Sequence, residues 1–483
     1  MAFYEDMRNQ WLFPPNILDL IPEKHICFLV DEVVESINYK EIEKKYQGPG
    51  HPAYHPKIVL KILIMGAIDG IRSSGKIARM ARENVVYMFL AGMLKPDFRT
   101  ISDFRKNNAD LISEVFKKVV EHAKKIGMVK LGHVSIDGTK IRANASNSKY
   151  LKKEEVKIPE KIVKEIRGGI RVDEEEDKEY GDSDGYEMDE KAMKKLRELK
   201  KKRKAKLEKI RRIVEKEDLN KLEDKIKKMK KNKASKVSTT DPECRFMRSR
   251  GLNLCYNAQI SIDSDSGIIV ARDVVNDNID YYQLIPQLEQ VKSNTGKYPD
   301  EITADNGYYT SENLMYLVER GINAYIPDEN TAIAVKGRDP KGYQKEMLRY
   351  NAKDDYFECE YGKITFRYKY YDKSKKRDVW IYKGESCMNC QIQKECVKNK
   401  KGVKVVKCLL PERIRVEMVE KMRSEEGIKK YKLRKKLEKV FGHIKHNLGL
   451  RQFLTRGLEK VRVEFDLGCI AHNLRRIWNI VGG

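Results

Sequence analysis

The sequence predicts a mixed α/β core that follows a helical N-terminal region and carries two insertions. Residues 255–262 and 268–275 alternate like two strands, and residues 263–267 between them supply hairpin turn residues. A helical pattern, two more short strand patterns and a second helix follow within residues 281–326. A hairpin that leads into strand–helix–strand units is typical of a mixed sheet.

The composition points to a polyanionic partner. The chain has 483 residues, which exceeds the roughly 100–200 residues of one domain. Its 98 Lys and Arg exceed its 73 Asp and Glu, a net charge of +25, which favours a nucleic acid over the alternative of solvated basic helices. No apolar run is long enough to cross a membrane and no signal peptide is apparent, so we expect no membrane partner and a cytoplasmic, nucleoid-associated protein.

Residues 1–130 have helical patterns. Pro56 precedes an apolar helix at residues 58–67, and residues 76–90 are predicted to form the next helix. Thr100 or Ser102 is the expected N-cap of a third. The region fits a DNA-binding or dimerising module and an ordinary helical bundle equally well.

Two aspartates mark the core, which we assign to residues 131–150 and 240–335. Asp137 and Asp305 each follow an apolar strand pattern and precede a glycine-containing turn. This arrangement puts each carboxylate at the carboxyl end of a strand, where ligands bind in open α/β sheets. The pair could hold a hard divalent cation, although Asp before Gly is also an everyday turn. The nearby Asp273, Asp277 and Asp280 are interpreted as turn and N-cap residues.

Residues 151–239 are predicted to form the first insertion. An acidic stretch at 173–189 is expected to be mobile, and the Lys/Glu-rich residues 188–235 have helical spacing. Leu219, Leu222, Ile226 and Met229 form an apolar seam, as Leu207, Ile210 and Val214 do. A helical hairpin or short coiled coil follows from this pattern, with its charges on a solvated face.

Residues 336–410 are predicted to be a cysteine-rich zinc subdomain. Cys387, Cys390 and Cys396 have the spacing of zinc ligands, and a tetrahedral site needs a fourth thiolate, for which Cys359 and Cys408 compete. The alternative is a set of free thiols. The isolated Cys27, Cys244, Cys255 and Cys469 are expected in the core.

The basic segment 411–483 is predicted to be helical. Tyr431, Arg434, Glu438 and Lys445 fall within an arc of roughly 60° if they lie on one α-helix. Such a face offers a carboxylate for a metal, an Arg fork and a Lys charge for phosphate. The alternative is a surface helix laced with ion pairs. Glu412, Glu417 and Glu420 lack matching Tyr and Arg partners.

Together these motifs resemble those of DDE transposases of bacterial insertion sequences, in the branch with a Tyr-Arg-Glu-Lys signature. The resemblance covers most of the chain, and the matching segments are residues 47–57 and 70–74, 135–140, 241–245 with 256–259, 304–308, and 438–445 with 451–457. Their order and number make chance similarity an unlikely explanation.

The resemblance implies an RNase H-like fold in which Asp137, Asp305 and Glu438 bind two Mg²⁺ or Mn²⁺ ions for phosphoryl transfer. It implies that Tyr431, Arg434 and Lys445 contact DNA phosphates beside the cut, and it favours Cys359 as the fourth zinc ligand. The expected partners are double-stranded DNA, as terminal inverted repeats and target, and a second copy of the chain. Two alternatives stay open: a nuclease on the same fold without strand transfer, and a DNA-binding protein without catalysis.

Overall fold

The structure is a computed structural model. It describes residues 16–44, 53–152, 219–231, 234–329, 331–332, 348–351, 353–359, 361–373, 377–397, 399, 401–408 and 411–482. The contacts divide the chain into two compact units. Unit 1 comprises Met1–Thr139, Asn257–Arg451 and Arg462–Gly483, and unit 2 comprises Lys140–Tyr256 and Gln452–Val461.

The N-terminal part of unit 1 is helical, as predicted. Its helices are α1 (Ile26–Glu35), α2 (Lys40–Glu43), α3 (Pro56–Ile68), α4 (Ser74–Glu83), α5 (Val85–Leu90), α6 (Phe98–Asn107) and α7 (Ala109–Lys125). Pro56 occupies the first turn of α3, and almost all of that helix is buried. The module therefore has its own apolar centre.

Two local predictions in this region were wrong. Residues 76–90 do not form one helix, because Asn84 ends α4 with extended backbone and caps the amide of Val86 at the start of α5. Asp97, rather than Thr100 or Ser102, caps α6: its carboxylate accepts a hydrogen bond from the backbone N–H of Thr100 at 2.7 Å. A short acceptor side chain in either case satisfies an otherwise unpaired amide.

The main sheet of unit 1 carries the two aspartates. Its strands are β1 (His133–Arg142), β5 (Leu252–Asp263), β6 (Ile269–Val275), β7 (Glu301–Thr303) and β8 (Asn323–Tyr325). The hairpin of β5 and β6 is antiparallel, and β1, β7 and β8 run parallel to one another in that order. Helices α9 (Leu284–Thr295) and α10 (Ser311–Glu319) connect the later strands. The mixed α/β class is thus confirmed.

Unit 2 is small and built around a buried carboxylate. It contains β2 (Tyr150–Lys152), α8 (Leu219–Lys231), β3 (Lys236–Ser238), β4 (Arg245–Arg248) and the first residues of β5. Asp241 is buried there. Both of its carboxylate oxygens lie 2.9 Å from the Tyr256 hydroxyl, whose single proton they share, and it accepts another hydrogen bond from the Gly457 amide. Ile226 and Met229 of the predicted seam are buried on α8, whereas residues 153–218, with the rest of the predicted hairpin, lie outside the described residues.

A second, antiparallel sheet of unit 1 holds two of the five candidate zinc ligands, Cys359 and Cys408, each at the end of a strand. Its strands are β9 (Arg349–Asn351), β10 (Tyr356–Cys359), β11 (Gly362–Asp372), β12 (Arg377–Gly384) and β13 (Val405–Cys408), with the short helix α11 (Gln393–Cys396) before β13. Phe357, Ile364, Tyr382, Val406 and Cys408 form its apolar core.

The C-terminal helices are α12 (Glu412–Arg423), α13 (Glu425–Lys432), α14 (Lys435–Gly442) and α15 (Leu458–Val481), and a π-helix (His443–Asn447) follows α14. The expectation of one regular helix from Tyr431 to Lys445 was wrong. The amides of Leu433, Arg434, Lys436 and Leu437 bond the carbonyls three residues earlier, so the chain turns more tightly between α13 and α14. None of the helices that the structure describes is long and apolar enough for a bilayer.

Candidate active site

Asp137 lies on β1, beside the core of unit 1. The preceding Val134, Ser135 and Ile136 are fully buried, and Ser135 is the last residue of β1 in register with β7. The side chain of Asp137 is 14% exposed. Contrary to the sequence prediction, no turn follows it, because β1 continues through Gly138 to Arg142.

Asp305 lies just beyond β7, the parallel neighbour of β1. It caps a short 3-10 helix (Asn306–Tyr308), and its Oδ1 accepts a hydrogen bond of 2.8 Å from the Gly307 amide. Here the predicted turn after the aspartate is present. Because β1 and β7 are parallel, the two carboxylates lie at the same end of the sheet.

A single guanidinium group joins the two carboxylates. Nη2 of Arg434 lies 3.1 Å from Oδ2 of Asp137 and 3.6 Å from Oδ2 of Asp305. Burial raises the pKa of Asp137 to about 7; the charge of Asp305 raises it too, and Arg434 opposes the rise. The site therefore holds excess negative charge that a cation stabilises.

The other three residues of the Tyr-Arg-Glu-Lys signature differ in how close they lie to this contact. The ring of Tyr431 lies 5.9 Å from the Arg434 guanidinium, and Nζ of Lys445 donates a hydrogen bond of 2.5 Å to Oγ1 of Thr139 on β1. Glu438 is exposed on α14, and its charge helps to raise the pKa of Arg434. The fold therefore brings Tyr431, Arg434 and Lys445 to β1, with Glu438 near Arg434 but turned to solvent.

Asp280 is a third acidic group at the site. Its backbone begins a turn, as predicted, because its carbonyl accepts a hydrogen bond of 3.0 Å from the amide of Gln283, but its side chain bonds elsewhere. Its Oδ1 accepts hydrogen bonds from Nδ2 of Asn257 at 2.6 Å and from Nε2 of Gln259 at 2.7 Å. Gln259 in turn accepts a hydrogen bond from the buried hydroxyl of Tyr308. Nothing in the spacing of Asp280 predicts this, because β5 supplies the partners. By contrast, Asp277 accepts a bond from Gln283, as a turn former does.

Gly138 is required by this polar network. A Cβ atom at that position would lie 2.1 Å from Nε2 of Gln259 and 2.8 Å from Oδ1 of Asp280. Both distances are far below any van der Waals contact. The glycine that suggested a turn in the sequence therefore serves a close approach within a strand.

The chemistry of the donor set fits Mg²⁺ or Mn²⁺ in part. The two aspartates offer only oxygen atoms, which these ions prefer, and they converge on one cationic group. In the described part of the chain, no three His, Cys, Asp or Glu side chains lie together as a metal site would require. Asp137 and Asp305 thus fit a shared cation, and Glu438 is positioned outside their immediate contact.

The candidate zinc ligands fall into two groups. Cys387 begins a short 3-10 helix, Cys390 follows it and Cys396 ends α11, and all three are partly buried. Cys359 ends β10, whereas Cys408 is buried in the core of the second sheet. Cys27, Cys244, Cys255 and Cys469 are fully buried, as expected of core residues.

Comparison with protein-family models gives two matches. Residues 358–478 match a transposase DDE domain, and residues 15–107 match a transposase domain (DUF772). The matches support a DDE insertion-sequence transposase, which confirms the family recognised from the sequence motifs. The first match contains Tyr431, Arg434, Glu438 and Lys445 but neither aspartate. A search of curated proteins found no match.

Proposed function

We propose that the chain is an insertion-sequence transposase that binds the terminal inverted repeats of its element, cleaves the DNA there and joins the ends to target DNA. The observation that carries the proposal is the convergence of Asp137 and Asp305 on Arg434. The three residues come from a parallel strand pair and a distant helical segment, and ion pairing alone does not require two partly buried carboxylates around one arginine.

In this proposal Asp137 and Asp305, with Glu438 from α14, hold two Mg²⁺ or Mn²⁺ ions in an RNase H-like core. The ions would activate a water or 3′-hydroxyl nucleophile and stabilise the leaving oxygen. Glu438 is exposed, so its side chain has room to turn toward the aspartates. The proposed membership of the branch with a Tyr-Arg-Glu-Lys signature rests on Tyr431, Arg434, Glu438 and Lys445.

Arg434 and Lys445 are the proposed contacts for DNA phosphate. Nε of Arg434 is buried and finds no acceptor among the described residues, although Nη2 contacts both aspartates. When the carboxylates hold cations, the guanidinium is free to pair with a phosphate oxygen through its fork of N–H groups. Tyr431 packs beside it and restricts its position.

The remaining parts of the proposal concern assembly and the cysteines. Synapsis of two DNA ends requires two active sites, so the proposed working form is a homodimer. Cys359, Cys387, Cys390 and Cys396 are the proposed zinc ligands. The strand register supports Cys359 over Cys408, since Cys359 pairs with Gly362 at the sheet end where Gly384 leads to Cys387. Cys408 pairs with Trp380, further along the sheet.

A strand-transfer assay tests the proposed function. The substrate is a pre-cleaved duplex from the inverted repeats that flank the gene, incubated with a supercoiled plasmid and Mg²⁺. We expect joined products from the wild-type chain and none from Asp137→Asn, Asp305→Asn or Glu438→Gln. Asp273→Asn is the matched control, since that carboxylate pairs with Arg462 at 2.8 Å, outside the site.

The outcomes separate the alternatives. Cleavage without joining would identify a nuclease on the same fold, and specific DNA binding with neither reaction would identify a non-catalytic DNA-binding protein. Full activity of any one of the three variants would remove that residue from the proposed catalytic set.

A further inference from the structure

A basic pocket lies between α14 and α15, apart from the aspartates. It is a cavity of about 520 Å³ in unit 1. The side chains that define it are Lys436, Lys439, His443, His472, Arg475 and Arg476. Asp265 is the one acidic group among the described residues that line it. Four permanent positive charges thus face one carboxylate.

Three of the four positive charges of the basic pocket are bonded to neutral backbone groups. Lys436 donates to the carbonyl of Ser264, and Nε of Arg476 donates to the carbonyl of Ser266 at 3.0 Å. Within the described part of the chain, no ion pair joins any of the four cations to a carboxylate. Backbone carbonyls position these side chains without neutralising them, so the cavity retains a positive potential.

Two further observations show that the pocket suits an anion. Nη2 of Arg475 donates to the carbonyl of Ile68, but its buried Nε has no acceptor among the described residues. Burial lowers the pKa of His443, and the charges of Arg475 and Arg476 lower it further. A buried donor without a partner is costly, and a bound phosphate oxygen would satisfy it.

The position of the pocket on α14 relates it to the candidate active site. At 100° per residue, Lys436 and Lys439 point about 160° and about 100° away from Glu438, and His443, just after α14, about 140° away. The pocket therefore faces away from Glu438 across a helix whose diameter is roughly 10 Å. A phosphate held there is separated from the cut phosphate by at least about three nucleotides of one strand.

We propose that the basic pocket binds a backbone phosphate of duplex DNA at a distance from the phosphate that is cut. The inference rests on the proposed function for the identity of the duplex. Charge favours a backbone phosphate, because four cations line the cavity and each neutralised phosphate releases counterions. Lys439 is the exposed member of the set and would meet the DNA first.

The salt dependence of DNA binding tests the pocket. A fluorescent duplex of arbitrary sequence is titrated with full-length protein at several salt concentrations, without added Mg²⁺ or Mn²⁺. Lys439→Ala should lower the slope of log K against log salt by about 0.9, the value for one phosphate contact. Lys439→Arg should keep the wild-type slope. Lys125→Ala, an equally exposed lysine at the end of α7, is the charge-matched control and should also keep it.

Each outcome bears on the proposal. A wild-type slope for Lys439→Ala would overturn it, as would an equal loss of slope for Lys125→Ala. Inorganic phosphate is titrated separately by calorimetry. Phosphate binding that Lys439→Ala abolishes, with an unchanged duplex slope, would assign the pocket to free phosphate and overturn the DNA assignment. Because no Mg²⁺ or Mn²⁺ is added, the measurement does not depend on cleavage, and failure of cleavage affects only the proposed function.

Discussion

Nη2 of Arg434 donates a hydrogen bond of 3.1 Å to Oδ2 of Asp137, although 297 residues separate the two along the chain. The contact joins the first aspartate strand to the segment between α13 and α14. It also puts a positive charge where two like charges would otherwise repel each other, since Asp305 lies 3.6 Å from the same nitrogen. Arg434 is thus the residue on which the proposed site depends most directly.

The substitution Arg434→Lys tests whether the reaction needs the paired N–H donors of the guanidinium or only its positive charge. Lysine keeps the positive charge but has a single donor nitrogen that cannot contact two phosphate oxygens in parallel. We expect near-normal thermal stability and a cleavage rate about 100-fold lower, the usual effect of losing one oriented donor. Lys432→Arg, on the exposed end of α13, controls for charge-conserving change nearby. Unchanged single-turnover cleavage by Arg434→Lys would show that the fork has no part in the reaction.

Asp280 is expected to act through its hydrogen bonds. Asp280→Asn retains an acceptor oxygen for Asn257 and Gln259, whereas Asp280→Ala removes one of the two acceptors of each amide group, at a cost of about 1–3 kcal/mol each. We therefore predict that the Ala variant loses stability and cleavage and that the Asn variant keeps most of both. Thermal denaturation and single-turnover cleavage measure the two effects. Cleavage by the Asn variant as poor as that by the Ala variant would instead make the charge of Asp280 essential.

The sequence predicted the elements with strong local patterns and missed those that depend on partners from elsewhere. The β5–β6 hairpin, the apolar helix α3 and the capped turn after Asp305 all follow from periodicity and turn residues. Gly138 was misleading because its role is a close approach to Gln259, which only the folded sheet reveals. Asp280 was missed for the same reason.

The signature segment 431–445 shows a related limit. Its spacing predicted one continuous helical face, and three of its residues do reach β1 or each other. However, the bonds at Leu433 to Leu437 span three residues rather than four, which changes the angle between Tyr431 and Glu438. Helical periodicity identified the residues, while their directions depend on backbone geometry that the spacing does not encode.

His472 should make stability depend on pH. Burial lowers its pKa to about 3, and His443 and Arg476 lower it as well. Its Nε2 donates to the carbonyl of Gly267, so its unprotonated Nδ1 accepts a hydrogen bond from the Nδ1–H of His443, 3.0 Å away. The unfolded chain binds a proton there below about pH 6.5, while the folded chain does not.

The free energy of unfolding should therefore fall as the pH falls from about 6.5 toward about 3, with His472 contributing about 1.4 kcal/mol per pH unit. His472→Gln keeps a donor for the Gly267 carbonyl but has no titrating ring. Urea unfolding at several pH values should show a shallower dependence for this variant, by about one proton. Equal slopes for the variant and the wild-type chain would show that His472 titrates alike in both states.

The zinc prediction depends on which cysteine completes the set. A closed tetrahedral site needs four thiolates, and in the proposed site Cys387, Cys390 and Cys396 would supply three from adjacent turns. No three of the described cysteines lie together as such a site requires, so their side chains would have to move to bind the ion. Cys359 lies at the end of β10 next to Gly362, where an added Cβ would lie 3.0 Å from Oγ of Ser386, the residue before Cys387. Cys408 packs instead against Phe357 and Tyr382 in the sheet core. By the strand register, Cys359 therefore lies closer to Cys387 than Cys408 does.

Metal analysis of the full-length protein, purified without chelator, should find about one zinc per chain, because one site holds one ion. Cys359→Ser should remove it together with thermal stability, since the metal's binding free energy contributes to folding. Cys408→Ser should retain zinc and lose only the packing of a small buried side chain. A wild-type content well below one equivalent would rule the site out. If Cys408→Ser loses the zinc and Cys359→Ser keeps it, Cys408 is the fourth ligand instead of Cys359.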